Sequence, residues 1–447
     1  MAEIDDFTFS YSLVRGYVMF AFKRFFSKYI VLGRENLPKE GPVILAVNHL
    51  NALMDALAVI SVVPHKMPVV FLARSDYFNN KTIAKFLKFC KIMPAFRMRE
   101  GIENIDKNNI VFDKCVEILH HNKVIGIMPE GNQGSQRKIR PLAKGIFRIA
   151  FQAQEKYDSQ LAVKIVPVGI DWGNIDKYGE HVIINIGKPI EVADYMSEYE
   201  ENPVTAINKI RDELKNRLSE LTLDIATNEN YNCFETATKV ANAAMVEKLQ
   251  LPNKEPFLFF ARQKTAQRLL ELEQTHPELV EKLTMLCKEY NENLKKLNLP
   301  SWLFNKTIKT SSLVLESLLL LVSLPLFLIG FILNLLPFFT PDLIIKAFHL
   351  NFPGGRGSLR FGIGLVTFPL FYILQAILFY KKLKATWWAT ILFFPLQYYF
   401  GKFAFFWHKE FKKLKAKIQY LTLKVRQSIV LERTKFLHDQ IIHLIEI

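Results

Sequence analysis

Cysteine is scarce and unpaired in this chain. Cys90, Cys115, Cys233 and Cys287 stand far apart, with no CxxC and no Cys/His ligand spacing, which argues against a disulfide framework or a structural zinc site and fits a reducing compartment. The first residues, MAEIDDFTFS, are acidic and lack the basic n-region of a secretory signal, so the catalytic part is expected to stay on the side where it is made. No G-x-S-x-G occurs, so a serine lipid hydrolase would have no nucleophile elbow. No nucleic-acid motif accompanies the formal net charge of +15, which leaves an anionic lipid surface as the partner that the charge implies.

Apolar residues are abundant instead. Half of the 447 residues are hydrophobic and 37 are Phe, and the length points to two or three domains. Residues 317–340, 361–380 and 385–401 carry no charge. The first two runs reach the roughly 20 residues a bilayer crossing needs, and the third does so if Lys402 snorkels. From Lys402 to the end there are ten Lys/Arg against four Asp/Glu, which favours the cytoplasmic side for the tail and an even number of crossings. Near the N-terminus, residues 7–29 mix nine aromatics with Arg15, Lys23, Arg24 and Lys28, the pattern of a helix lying in a headgroup region rather than spanning it.

The chain is organised around PVILAVNHLNALMD, residues 42–55. An apolar, β-branched run ending in Asn48-His49 reads as a buried strand that delivers an imidazole to a sheet edge. Six positions separate His49 from Asp55, a rotation of about 240° on a regular helix, so the two meet only if His49 precedes a helix and Asp55 lies on its first turns, with Asn51 as N-cap. In that geometry Asp55 can fix the tautomer of His49 and stabilise its imidazolium. The bland alternative is a partly buried His with an unrelated acid nearby.

Further apolar strands are expected at 29–32, 68–73, 124–128, 162–170 and 182–186, with helices over 55–63 and 109–121, an α/β pattern. The strand at 124–128 runs into Pro129-Glu130-Gly131-Asn132-Gln133-Gly134-Ser135 and then Arg137, Lys138, Arg140 and Lys144. Glycine-exposed N–H groups backed by cations suit a phosphate-bearing ligand, while a solvated basic loop is the plain alternative. Beyond residue 194 the pattern is amphipathic helix, as in 203–223.

Asn48-His49…Asp55, Phe71-Leu72-Ala73-Arg74, Ile92-Met93-Pro94…Arg97, Met128-Pro129-Glu130-Gly131…Ser135, Pro141-Leu142-Ala143-Lys144-Gly145 and Val166-Pro167-Val168-Gly169, in that order, resemble the motif blocks of the glycerolipid acyltransferases, a family that includes glycerol-3-phosphate and 1-acylglycerol-3-phosphate acyltransferases. The resemblance covers roughly residues 30 to 190. It implies an α/β acyltransferase domain with a mixed sheet, and the patterns beyond it add a helical insert and a C-terminal α-helical membrane region. It also implies transfer of a fatty acyl group from acyl-CoA or acyl-carrier protein to a hydroxyl of glycerol-3-phosphate or lysophosphatidic acid, without a cofactor or metal. His49 takes the hydroxyl proton and Asp55 orients it; Arg97, Glu130 and Gly131 hold the acceptor, with Lys144 as a second cation.

Two departures stand out. Five residues rather than four separate His49 from Asp55, a spacing that resembles the fungal and protist glycerol-3-phosphate/dihydroxyacetone-phosphate branch, and the extra residue is expected to be absorbed at Leu50–Asn51. The arginine that commonly follows the Glu-Gly block is replaced by Asn132-Gln133-Gly134-Ser135, and Arg137 is the expected substitute. The implied layout is an interfacial segment 1–36, a catalytic domain 37–200, a helical cover 201–305, membrane helices 306–408 and a basic tail 409–447. The implied setting is an integral membrane protein with its catalytic domain on the cytoplasmic face of the plasma or inner membrane or the endoplasmic reticulum. Two other functions remain open at this level: a non-catalytic lipid-binding membrane protein of the same fold, and a CoA-independent phospholipid transacylase.

Overall fold

A computed structural model describes residues 3–96, 103–156, 162–350 and 355–446. The chain divides into two compact units, one of residues 1–224 with 351–361 and the other of residues 225–350 with 362–447.

The first unit runs α1 (Phe9–Phe25), β1 (Lys28–Leu32), β2 (Val43–Val47), α2 (Ala52–Val62), β3 (Val69–Arg74), α3 (Lys81–Phe89), β4 (Ile92–Ala95), α4 (Glu103–His120), β5 (Val124–Ile127), α5 (Gly145–Lys156), β6 (Lys164–Trp172), β7 (His181–Ile186), β8 (Ile190–Glu191), α6 (Met196–Glu201) and α7 (Pro203–Leu221). The strands form one mixed sheet in the order β1-β7-β6-β2-β5-β3-β4, with β8 also on β6. β2 lies between β5 and β6 and is parallel to both, while β7 and β8 run antiparallel to β6. Flanked on both edges and covered on both faces, β2 is buried along its length, which is why it reads as an unbroken apolar run.

The register sets the site. Ala46 pairs with Ile127, so three residues further along both chains His49 comes beside Glu130. Val47 pairs with Val168, and just past that point Asn48 closes the strand end, its Oδ1 accepting from Ile170 N at 2.7 Å and its Nδ2 donating to Ile170 O at 3.1 Å.

Two expectations change here. The N-terminal helix α1 is docked on the sheet-bearing unit: Arg15, nearly buried, donates to the carbonyls of Ile60, Val63, Pro64, His65 and Met67. These include the C-terminal carbonyls of α2 that no helical N–H can satisfy. The opposite face of α1 exposes Phe9, Leu13, Tyr17 and Phe20. Helix α7 likewise belongs with the sheet and not with a separate cover beginning at 201, because Ile207, Ile210, Leu214 and Leu218 complete the core under β5 and β6. Three of the four cysteines are buried, and burial pushes the Cys115 thiol up to about 12, as fits an inert core residue.

The second unit is helical: α8 (Tyr231–Val240), α9 (Asn242–Lys248), α10 (Phe257–Thr275), α11 (Pro277–Leu297), α12 (Thr310–Val322), α13 (Leu324–Ala347), α14 (Arg356–Lys382, whose first turn belongs to the first unit), α15 (Trp387–Val425) and α16 (Ile429–Glu446). Helices α13 and α14 are long and apolar enough to cross a membrane, and only 28% and 22% of their most apolar windows are buried, unlike a soluble core helix. The run at 385–401 does not end before the basic tail: it is the start of the single helix α15, which at 39 residues is about 58 Å long at 1.5 Å per residue. Asn334 of α13 ties three helices together, accepting from Tyr372 Oη at 2.6 Å and donating to Gln397 O at 3.0 Å.

Helix α16 returns to α11. Arg433 forks onto Glu289 with both bonds at 2.7 Å, His438 reaches Asn305 at 2.8 Å, and Leu431, Leu437 and Ile441 are fully buried.

Candidate active site

Asp55 is completely buried and both of its oxygens are used. Oδ2 meets His49 Nδ1 at 3.0 Å and accepts from Leu50 N at 2.9 Å and Asn51 N at 2.7 Å. Oδ1 accepts from the indole Nε1 of Trp172 at 3.0 Å. An ionised carboxylate only accepts, so Nδ1 of His49 carries the proton and Nε2 is left with its lone pair. The His49 side chain keeps 20% of its surface, and Nε2 makes no hydrogen bond among the described residues. The imidazole is held in one tautomer with its second nitrogen open, the arrangement that a general base requires.

The turn reaches this geometry by a route different from the expected one. Asn51 does occupy the N-cap position of α2, but its side chain caps nothing. Asp55 closes the turn from inside the helix instead, through the N–H groups of residues 50 and 51. Within this turn Ala52 has φ +36°. A non-glycine residue there costs on the order of 1–3 kcal/mol unless its surroundings enforce it.

Glu130 supplies the second half of the site. Its carboxylate is 2% exposed, accepts from His49 N at 2.9 Å and from Arg140 Nε at 2.6 Å. The carbonyl of His49 accepts from Gly134 N at 3.0 Å and from Arg140 Nη2 at 3.3 Å. Both backbone polar groups of His49 are thus paired with the loop after β5, which holds the imidazole by its own main chain. Burial pushes the Glu130 carboxyl up from the ordinary carboxylate range, against the opposing pull of the Arg140 charge and the N–H bonds. Gly131 sits at φ +69° with open space where a Cβ would go, so glycine is needed there for the backbone turn and not for room.

Of the residues singled out from sequence, His49, Asp55, Glu130 and Gly131 come together at the ends of β2 and β5. Arg137 faces β6 instead, its Nη1 bonding the buried carboxylate of Asp171 at 3.0 Å and its Nη2 the Trp172 carbonyl. It braces the strand that presents Trp172. The arginine beside Glu130 is Arg140, for which the basic run Arg137-Lys138-Ile139-Arg140 gives no distinguishing signal. Lys144 is exposed just before α5 and has no hydrogen bond to this group. Arg97 lies outside the described residues. Trp172 was also not singled out; only its position two residues past Ile170 on an apolar strand hints at it.

His49, Asp55 and Glu130 lie within the stretch of the chain that resembles known proteins. The family model described as Acyltransferase matches residues 28–171. Over 196 residues the chain is 26% identical to glycerol-3-phosphate O-acyltransferase 1 of Saccharomyces cerevisiae, covering 43% of this chain and 25% of that protein. Over 314 residues it is 23% identical to glycerol-3-phosphate O-acyltransferase 2 of the same yeast, covering 68% of this chain and 39% of the relative. A 1-acyl-sn-glycerol-3-phosphate acyltransferase of Bacillus subtilis is 25% identical over 200 residues, 43% of this chain and 90% of that protein. The chain therefore spans well under half the length of these two yeast relatives.

Proposed function

Residues 28–171 being a domain of the acyltransferase family, we propose that this chain is a membrane-bound O-acyltransferase of glycerolipid synthesis, moving a fatty acyl group from an acyl-CoA or acyl-carrier-protein thioester to a hydroxyl of glycerol-3-phosphate or lysophosphatidic acid. The observation that carries the reading is the bond from His49 Nδ1 to the buried Asp55 carboxylate, which leaves Nε2 open.

In this reading Nε2 of His49 removes the acceptor hydroxyl proton as the oxygen attacks the thioester carbonyl. The tetrahedral intermediate collapses with breakage of the C–S bond, and the thiolate leaves with the proton that His49 took up. Asp55 stabilises the transient imidazolium and holds the ring. The thioester is already activated, so the remaining work is positioning and proton transfer. Arg140, 26% exposed and fixed by Glu130, places a cation beside the base for the acceptor phosphate, with Lys144 and Arg97 as further cations. Arg137 has a bracing part instead.

The membrane assignment is supported by α13 and α14, and the side of the tail by α16. Helix α11 precedes the apolar stretch and α16 follows it, yet the two pack together. Chain ends that meet on one face of a bilayer are joined by an even number of crossings. The catalytic domain and tail then share the cytoplasmic face.

The test is to supply labelled acyl-CoA with glycerol-3-phosphate, dihydroxyacetone phosphate or lysophosphatidic acid to the purified chain. Acylation of one of the three phosphate-bearing acceptors supports the reading, and acylation of none contradicts it.

A further inference from the structure

The turn that carries His49 is held by a residue far outside the matched domain. Ser358, on the first turn of α14 and within the sheet-bearing unit, is 7% exposed. Its Oγ lies 3.1 Å from Asn51 O and 3.3 Å from Asn51 Oδ1, either of which can take its proton, and it accepts from Met54 N at 3.3 Å. The last of these bonds is what an N-cap side chain ordinarily provides to the first turn of a helix. Asn51, at the cap position, does not provide it, because its Nδ2 is turned to Ile175 O at 3.2 Å.

The neighbours of Ser358 fix it there. A Cβ on Gly357 would lie 2.2 Å from Ile175 O, the same carbonyl that Asn51 uses, so glycine is what lets the two backbones approach this closely. Arg360 Nη1 donates to Asp176 O at 2.6 Å. The segment 357–360 is thus seated on the 175–176 loop and on the turn that carries His49 at three points, Gly357, Ser358 and Arg360.

We propose that Ser358 is a positioning residue for the His49–Asp55 pair, and that the start of the apolar helix α14 is an integral part of the catalytic site. The proposal rests on the reading of His49 as general base. From 307 positions away Ser358 adds a side-chain bond to a turn in which Ala52 lies in the left-handed region and the Met54 N–H otherwise has only the Asn51 carbonyl, at 2.8 Å. Loss of the Oγ removes the second acceptor of the Met54 N–H, which keeps Asn51 O at 2.8 Å, and one donor to the Asn51 carbonyl; the turn is then held by its own backbone alone, and Asp55, one residue beyond Met54, loses its fixed aim at Nδ1.

The test uses the full chain in nanodiscs, as wild type, Ser358→Ala and Ser358→Thr. Two readouts are followed: steady-state acyl transfer, and carbethoxylation of His49 by diethyl pyrocarbonate followed by mass spectrometry. Ser358→Ala is expected to lower kcat by about 10- to 100-fold with KM little changed, and to raise the rate of His49 modification. Ser358→Thr, which keeps the hydroxyl, is expected to recover most of both. Wild-type kcat in Ser358→Ala overturns the proposal, and so does a lower kcat with His49 reactivity unchanged, since the loss then arises elsewhere. If the wild type acylates no acceptor, acyl transfer fails as a reading, and the modification arm decides the positioning claim by itself.

Discussion

The indole N–H of Trp172 donates to Oδ1 of Asp55 at 3.0 Å, joining the last residue of β6 to the first turns of α2 inside the core. That bond leaves Oδ2 to His49 and two backbone N–H groups, so each oxygen of the buried carboxylate has its own partners. Trp172→Phe keeps an aromatic ring but removes the donor and part of a fully buried side chain, and an unpaired buried carboxylate oxygen alone costs about 1–3 kcal/mol. A Tm several degrees lower, with kcat reduced more than KM is raised, is the expected result; thermal unfolding and steady-state kinetics on one preparation check it.

Arg140 and Arg137 should separate cleanly. Arg140→Ala removes the partner of buried Glu130 and a bond to the His49 carbonyl, so acyl transfer should fall by one to two orders of magnitude, about 1.4 kcal/mol per factor of ten. Arg140→Lys should restore only part, because one ammonium cannot span Glu130 and the His49 carbonyl as a guanidinium fork does. Arg137→Ala removes the guanidinium from the buried Asp171 carboxylate and should act chiefly on stability, seen as a lowered Tm with KM for the acceptor unchanged.

The ion pair between α11 and α16 has a pH signature. The side-chain hydrogen bond from Arg433 holds the Glu289 carboxyl below the ordinary carboxylate range, the charge of Arg433 adding to it. The folded value lies below the unfolded one, so this contribution to stability is present above the unfolded value and is lost as pH falls through the folded one. Both groups are solvent-exposed, and the effect is therefore small and salt-sensitive. Hydrogen exchange along α16 should quicken as pH falls through that acid window in the wild type, after correction for intrinsic rates, and Arg433→Ala should abolish that dependence.

What the sequence made legible, and what it hid, follows from the range of the interactions involved. β2, His49 and Glu130 could be read because an apolar strand and the loops at its parallel neighbours' ends are local patterns. The pairing of His49 with Asp55 was legible as a geometric condition, and the structure meets it. The devices that hold it were not: a side-chain bond to the first turn of α2 comes from Ser358, and the second ligand of Asp55 from Trp172, 117 positions away. Arg140 was hidden for a similar reason, since only the folded loop decides which cation of a basic run turns inward. The fate of α1 depended on Arg15, which reads as a surface charge until the carbonyls at the end of α2 are seen to need it.

The crossing number can be measured directly. In a background without the four native cysteines, Glu40→Cys, Leu383→Cys and Gln427→Cys place single thiols on the sheet-bearing unit, in the α14–α15 connection and between α15 and α16. Residues 40 and 427 should label with a membrane-impermeant maleimide from the same side of sealed vesicles. If α14 and α15 are the crossing pair, residue 383 labels from the other side. Labelling of 40 and 427 from opposite sides would contradict an even number of crossings.

The most direct test of the account is the turnover of His49→Ala. With labelled acyl-CoA and whichever phosphate-bearing acceptor the wild type uses, removal of the imidazole should lower kcat by about 10²- to 10⁴-fold while Tm stays near that of the wild type, because His49 is partly exposed and its backbone bonds to Glu130 and Arg140 remain. A His49→Ala protein that acylates the acceptor at the wild-type rate would show that the proton is taken elsewhere and that the site at the end of β2 is not the catalytic centre.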